Sequence, residues 1–367
     1  MLDLLLDYQA GSGYISINYE SFKQPISMVH ISEQRLNSLL DTLKGKTIAV
    51  VGDLMLDSYI WGKVNRISPE APVPVVDVET EQVCLGGAAN VAHNIKSLGG
   101  KPLLVGVLGD DSSGKKLLNI IRENAFPVDG IVVDNARPTT VKTRIIAHSQ
   151  HVVRIDRESR EEISTTIQNG ILETLLRNSE AIDGIIIEDY NKGVVVKRLI
   201  HQIVEWANQN KKPITVDPKY NNFFEFTNVT VFKPNRKEVE EVLGLRMNDE
   251  HEVITAGKKI LERLNSLSIL LTQGEQGMSL FEKDGTVTHV PTKARSVADV
   301  SGAGDTVIAT LTMALVGGAT IREAATLANI AGGIVCGSVG IVPINKNELR
   351  DAVMQDMNHR PRSNSAN

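Results

Sequence analysis

Gly184-Ile185-Ile186-Ile187-Glu188-Asp189 is an unbroken apolar run that stops on two acids. The pattern recurs in both directions from it. Toward the C-terminus, Ile214-Thr215-Val216 ends in Asp217-Pro218-Lys219, and Ile269-Leu270-Leu271 ends in Thr272-Gln273-Gly274. Toward the N-terminus, residues 47–51 form an apolar run ending at Gly52-Asp53, and residues 103–107 read as another buried strand. Helical patterns lie between the runs. Ala88, Ala92 and Ile95 recur at helical spacing until Gly99-Gly100, and Ile163, Ile167, Ile171 and Leu175 repeat every four residues. Continuous apolar strands separated by helices predict an α/β fold, a doubly wound, mostly parallel sheet flanked by helices. Polar residues collect at the strands' C-terminal ends, where open α/β sheets bind ligands.

One stretch breaks the alternation. Residues 59–83 contain Pro69, Pro72 and Pro74 and then the β-rich Val75-Val76-Asp77-Val78. Proline confines such strands to edges, so this is a small β excursion and a candidate lid. Residues 1–31 lack periodicity and read as an N-terminal extension to a single domain at 32–350. Residues 351–367 read as a polar tail, disordered over its last ten or so, Arg360 to Asn367.

Composition excludes several classes. Of 367 residues, 42% are hydrophobic and 23% charged, and the formal net charge is −5. No basic field is available to hold nucleic acid. Two cysteines, Cys84 and Cys336, are too few for a disulfide framework. No apolar run approaches the roughly 20 residues that span a bilayer. The acidic start Met1-Leu2-Asp3-Leu4-Leu5-Leu6-Asp7 is too short for a secretory signal. The expectation is a cytoplasmic protein without membrane or nucleic-acid partners.

The motif richest in chemistry is Asp299-Val300-Ser301-Gly302-Ala303-Gly304-Asp305-Thr306, followed by a helical pattern through Val307, Leu311 and Leu315. Glycines at a helix N-terminus expose N–H donors and a partial positive charge suited to a phosphoryl group. An acid inside an anion site needs a reason, and general-base work on a hydroxyl supplies one; a plain helix cap after a glycine turn is the alternative. Asn235 and Glu238, three apart at the head of a helical pattern, could serve Mg²⁺ through its retained waters or could simply start the helix. Asp53 and Asp57 could accept from sugar hydroxyls or sit in turns. Arg66, Arg144, Lys192 and Lys219 are the basic candidates for a substrate phosphate, Lys192 and Lys219 foremost because they follow strand ends. Gly109-Asp110-Asp111-Ser112-Ser113-Gly114-Lys115 mimics a P-loop, but Lys116 replaces the Ser or Thr that would hold Mg²⁺; it reads as a turn capping the next helix. The histidines show no metal-ligand spacing.

The Gly302-Ala303-Gly304-Asp305 segment resembles the signature of the ribokinase-type (PfkB) carbohydrate kinases. Gly86-Gly87-Ala88-Ala89-Asn90 is similar to that family's double-glycine motif, Asn235-Arg236-Lys237-Glu238 to its Asn-x-x-Glu motif, and Thr272-Gln273-Gly274-Glu275-Gln276-Gly277 to its nucleotide loop. The likeness runs over roughly residues 36–343; Ser301 stands where many members carry Thr. A long match, Gly52 to Gly62 continuing through Arg66-Ile67-Ser68-Pro69-Glu70-Ala71-Pro72-Val73-Pro74-Val75, resembles the bacterial heptose 7-phosphate kinases in particular, as do Glu188 to Gly193 and Asp217-Pro218-Lys219. Some of these are fused to a nucleotidyltransferase domain with a His-x-Gly-His motif; the chain has none, so the stand-alone form is expected.

The resemblance implies a ribokinase-like fold with a small β-sheet lid, and a kinase that phosphorylates the anomeric O1 of D-glycero-D-manno-heptose 7-phosphate. It implies Asp305 as base, with Gly302, Ala303 and Gly304 stabilising the phosphoryl oxygens. Asn235, Glu238, Thr272, Gly274, Gly277 and Asn329 would serve ATP, and Asn235 and Glu238 also Mg²⁺. Asp53, Asp57, Gly86, Gly87, Asn90, Arg66, Arg144, Asp189, Lys192 and Lys219 would serve the sugar phosphate. K⁺ near the Asp299 loop and a homodimer joined through the lid are also implied. The rival readings are a ribokinase- or fructokinase-like enzyme acting on an unphosphorylated sugar, and a non-catalytic sugar-binding regulator.

Overall fold

The computed structural model describes residues 29–148, 150–292 and 298–358. Most of the expected extension (1–31) and residues 359–367 of the expected tail lie outside the described residues. In chain order the elements are α1 (Glu33–Thr42), β1 (Thr47–Gly52), β2 (Leu54–Ile67), β3 (Pro74–Gly87), α2 (Ala88–Ser97), β4 (Lys101–Gly109), α3 (Ser112–Glu123), β5 (Ile131–Asp134), β6 (Thr140–Ala147), β7 (Gln150–Arg157), α4 (Thr165–Arg177) and β8 (Gly184–Glu188). Then follow α5 (Lys197–Gln209), β9 (Ile214–Asp217), β10 (Val231–Phe232), α6 (Arg236–Leu243), α7 (Glu250–Leu264), β11 (Ser268–Thr272), β12 (Met278–Glu282), β13 (Val287–Val290), α8 (Ala303–Val316), α9 (Ile321–Val335) and α10 (Lys346–Asn358).

The strands form a nine-stranded sheet in the order β13-β12-β11-β10-β9-β8-β1-β4-β5, parallel from β11 to β5, with β12 and β13 antiparallel at one edge. Its central strands are apolar throughout because both faces are covered. Ile48 and Val50 of β1 pack into the core beneath α2, α8 and α9, while Ala49 and Val51 pack into the core beneath α4, α5 and α7. Strand order reverses between β1 and β8, and a crevice for ligand opens at the C-terminal ends of such a pair. Register places Gly52, Glu188 and Asp217 side by side there. Gly52 has no room for a side chain, since a Cβ would stand 2.1 Å from the Glu188 carbonyl oxygen.

The lid is larger than the sequence reading made it. The hairpin β2–β3 contains the expected residues 59–83, but β6 and β7 extend it to four strands in the order β3-β2-β6-β7. The half-buried β6 and the exposed β7 mix apolar and charged side chains, a weaker signal than a continuous apolar run. Both expected domain boundaries also move. Ile31 is buried in the core, and α10 carries the fold to 358 with Leu349 and Val353 buried. The polar residues between Leu349 and Val353 hide their helical spacing in the sequence.

Candidate active site

Three strand ends and one helix start converge. The helix is α8, whose N-cap Gly302 takes a left-handed conformation (φ 77°). A Cβ at Gly302 would lie 2.9 Å from the Asn90 amide nitrogen, so glycine is needed for both the backbone turn and the close approach. Asp305 lies in the first turn of α8 and is 3% exposed. Asn90 donates to its Oδ2 at 2.7 Å and the Tyr190 hydroxyl donates to its Oδ1 at 2.8 Å. Burial pushes the Asp305 carboxyl up to about 6; these two donors oppose the shift, and the negative charges of Asp217 and Asp57 add to it. A carboxylate so poised is largely ionised at neutral pH yet basic enough to take a hydroxyl proton.

Glu188, Asp217 and Asp305 each bring a carboxylate oxygen within 4.8 Å of the others'. Glu188 is fully buried, and neither of its oxygens has a hydrogen-bond partner among the described residues. Burial, with Asp217 and Asp305 nearby, holds its carboxyl well above the usual range. Asp217 pairs with the buried Lys233 at 2.7 Å. A Cβ built on Gly304 would be 3.7 Å from the Lys233 Nζ, so this cation borders the glycine turn. Lys219 pairs with Glu238 at 2.5 Å. Burial opposes its charge, but Asp217 and Glu238 outweigh burial and raise its pKa.

Asn235 and Glu238 do start a helix. Asn235 caps α6, accepting from the Glu238 N–H at 3.0 Å, while Glu238 Oε2 accepts from the Asn235 N–H at 2.8 Å. The second oxygen of Glu238 takes Lys219, which ties the cap to the acidic cluster. Thr272 ends β11 beside Asn235, joined by a bridge between the two residues. Gly274 and Gly277 have positive φ values of 59° and 85°, and a Cβ on Gly277 would lie 2.1 Å from the Val290 carbonyl oxygen. Asn329 on α9 donates to the Pro291 carbonyl at 2.7 Å. These residues gather on the β10–β13 side of Asp305.

Most of the expected sugar residues gather on the other side, and several are already engaged. Asp53 is buried and accepts three backbone N–H groups, from Tyr190 (2.7 Å), Lys192 (3.1 Å) and Val194 (3.3 Å). Its oxygens hold the loop after β8, in keeping with the turn alternative of the sequence reading. Asp57 forms an ion pair with Arg144, and a Cβ on Gly86 would meet Asp57 Oδ2 at 2.0 Å. Gly87, at φ 54°, leads into α2. Asp189 accepts from the Asn191 N–H and the Asn222 amide, and burial pushes its carboxyl up to about 7. Lys192 pairs with Glu158 at 2.7 Å. Arg66 is exposed near the far end of β2; it stands nine positions along the strand from Asp57, about 30 Å if extended, so it is not brought to this site. The P-loop mimic is a cap, with Asp111 Oδ1 accepting from the Gly114 N–H at 2.7 Å at the head of α3. Asp299 accepts from the N–H groups of Ser301 and Gly340.

Tyr190, Lys233 and the carboxylates Glu188 and Asp217 were not singled out as site residues. The two acids end apolar runs, so strand-end position alone could have found them. Lys233 follows a strand of only two residues, too short to read.

The pfkB family carbohydrate kinase model matches residues 46–347. The Bifunctional protein HldE of Geobacter sulfurreducens is 43% identical over 300 residues, covering 82% of this chain and 61% of that protein. The Helicobacter pylori (strain J99) protein of the same name is 41% identical over 296 residues, 80% of this chain and 64% of its own length. The chain therefore spans about three-fifths of the curated relatives it matches. Phosphofructokinase-2 from Escherichia coli in complex with potassium superposes with a TM-score of 0.70 at 18% identity, over 85% of this chain and 99% of that one. Arabidopsis thaliana ribokinase complexed with ribose and ATP superposes at 0.67 and 18%, over 86% and 100%. The fold is ribokinase-like, and this chain belongs to the pfkB family of carbohydrate kinases, a sugar-phosphorylating transferase.

Proposed function

We propose that the chain transfers the γ-phosphate of ATP to the anomeric O1 of D-glycero-D-manno-heptose 7-phosphate, giving the 1,7-bisphosphate used for ADP-heptose and lipopolysaccharide core. The observation that carries the reading is Asp305, held by Asn90 and Tyr190 beside a glycine helix start and raised to about 6. Asp305 takes the O1 proton as O1 attacks the γ-phosphorus, the β–γ bridging bond breaks, and ADP leaves. Backbone N–H groups of residues 302–304 face the phosphoryl oxygens, and Lys233 beside Gly304 offsets the charge that develops there. Bound Mg²⁺ would supply charge neutralisation for the ATP phosphates. Glu238, with Asn235, would hold it through water, and the unpartnered oxygens of buried Glu188 add hard donors in the same acidic cluster. Thr272, Gly274, Gly277 and Asn329 would line the adenosine side. K⁺ would bind by the Asp299 loop. The name HldE and the long sequence match at residues 52–75 favour the heptose among sugars.

A homodimer through the lid is part of the reading. Val153 and Ile155 on β7 are exposed, and register sets them on one lid face with Ile60, Ile145 and Thr143, an apolar strip of the kind interfaces cover. No helix among the described residues is long and apolar enough to cross a membrane, and a cytoplasmic site of action is proposed with it. One feature favours a neutral sugar instead: Lys192 and Lys219 are both paired with glutamates. ADP release measured across a panel of sugars and sugar phosphates decides the matter. Heptose 7-phosphate should turn over fastest; a faster neutral sugar would replace this substrate, and no release with any sugar would favour the regulator.

A further inference from the structure

We propose that Lys142, with Lys192, is the residue that reads the remote phosphate of the substrate. The inference rests on the sugar-phosphate reading above. Lys142 stands on β6, paired in register with Asp57 on β2 and Asp156 on β7, so it shares the lid face that carries Asp57 and Arg144 toward the crevice. Its Nζ lies 5.9 Å from the Tyr190 ring centroid, and the hydroxyl of that ring is 2.8 Å from Asp305. One tyrosine ring thus separates Lys142 from the base, a span suited to a sugar with its reacting hydroxyl at one end and its phosphate at the other.

The other cations around the crevice have partners. Arg144 has Asp57, Lys192 has Glu158, Lys219 has Glu238 and Lys233 has Asp217. Lys142 is half-buried and, among the described residues, has neither an ion pair nor a hydrogen bond. Its ring contact is at the outer limit of a cation–π interaction. Burial and the nearby charge of Lys192 both lower its pKa, and Asp156 and Glu158 offset this only in part. An unpaired, half-buried ammonium beside a second ammonium is unfavourable by itself. A dianionic phosphate between Lys142 and Lys192 relieves both the desolvation and the repulsion, through charge-assisted hydrogen bonds. Glu158 forms its ion pair with Lys192, so Lys142, only partly offset by nearby carboxylates, supplies the charge that distinguishes a phosphorylated from a neutral sugar.

The experiment compares wild type, Lys142→Met and Lys142→Arg on D-glycero-D-manno-heptose 7-phosphate and on the unphosphorylated heptose. Lys142→Met should raise KM for the 7-phosphate about 10–100-fold, the loss of one charged hydrogen bond, with a far smaller change on the unphosphorylated heptose. Lys142→Arg should restore much of the difference. An unchanged KM for the 7-phosphate, or equal losses on both substrates, would overturn the role of Lys142 while leaving the sugar-phosphate reading intact. A wild type that prefers the unphosphorylated heptose would overturn both. If Lys142→Met does not fold, Lys142→Gln is read by the same criteria.

Discussion

In the nine-stranded sheet, Ile48, Ala49, Val50 and Val51 of β1 are wholly buried; in the lid, every residue of β7 is exposed. The first strand is fixed by what it hides, on two faces, between helices. The second presents charges on one face and valine and isoleucine on the other. The body therefore carries the fold and the groups proposed to react, Asp305, Glu188, Asp217 and Lys233, which sit at strand ends and at the start of α8. The lid carries Lys142 inward without an ion pair among the described residues, and Val153 and Ile155 outward with little to pack against. Side chains free of packing duty are available to choose a substrate or a partner.

The strongest way to break this division is at Asp305. Asp305→Asn keeps the shape and the Asn90 contact side of the site but removes the base, and turnover should fall about 10²–10⁴-fold with ATP binding retained. In the wild type, activity should decline as pH falls below about 6, where the Asp305 carboxyl protonates. Steady-state rates and a pH profile check both; a variant that retains more than about a tenth of the rate would remove Asp305 from the role.

Stability tests the comparison next. Ile186 on β8 is fully buried, and Ile186→Ala should destabilise by about 2–5 kcal/mol in denaturant melts. Ile155 on β7 is 55% exposed, and Ile155→Glu should change stability by no more than about 0.5 kcal/mol while shifting the sedimentation mass from dimer to monomer. Equal destabilisation at the two sites, or a mass indifferent to Ile155→Glu, would erase the distinction between body and lid.

The smallest effect is expected at Glu238. Glu238→Gln loses the ion pair with Lys219 but keeps one acceptor oxygen for the Asn235 N–H, and the Asn235 cap on the residue 238 N–H is untouched, so the fold should hold. The Mg²⁺ concentration for half-maximal rate should rise several-fold, about one charged contact's worth, and the sugar KM should move less. An unchanged Mg²⁺ titration would leave Glu238 as a helix cap alone.

The same contrast explains what could be read in advance. The runs 47–51, 184–187, 214–216 and 269–271 each became a strand because burial on both faces demands uninterrupted apolar residues. Gly302 and Gly304 were legible because glycines at a helix start leave N–H donors open to an anion. Strands β6 and β7 were not legible, since half-buried and exposed strands need no apolar continuity, and Lys142 went unnoticed with them. Asp53 stayed open for a different reason: an acid at a strand end accepts backbone N–H groups as readily as sugar hydroxyls, and the loop at 190–194 supplies three such N–H groups. The partner of Lys219, Glu238, lies nineteen residues away in sequence, so the ion pair between them was not legible.

The most direct test of the account is the product itself. Incubated with ATP, Mg²⁺ and D-glycero-D-manno-heptose 7-phosphate, the protein should yield a sugar with two phosphorus resonances by NMR, the new one coupled to the anomeric proton, and Asp305→Asn should yield almost none. A phosphate placed on any other carbon, or phosphorylation of the neutral heptose in preference to its 7-phosphate, would contradict it.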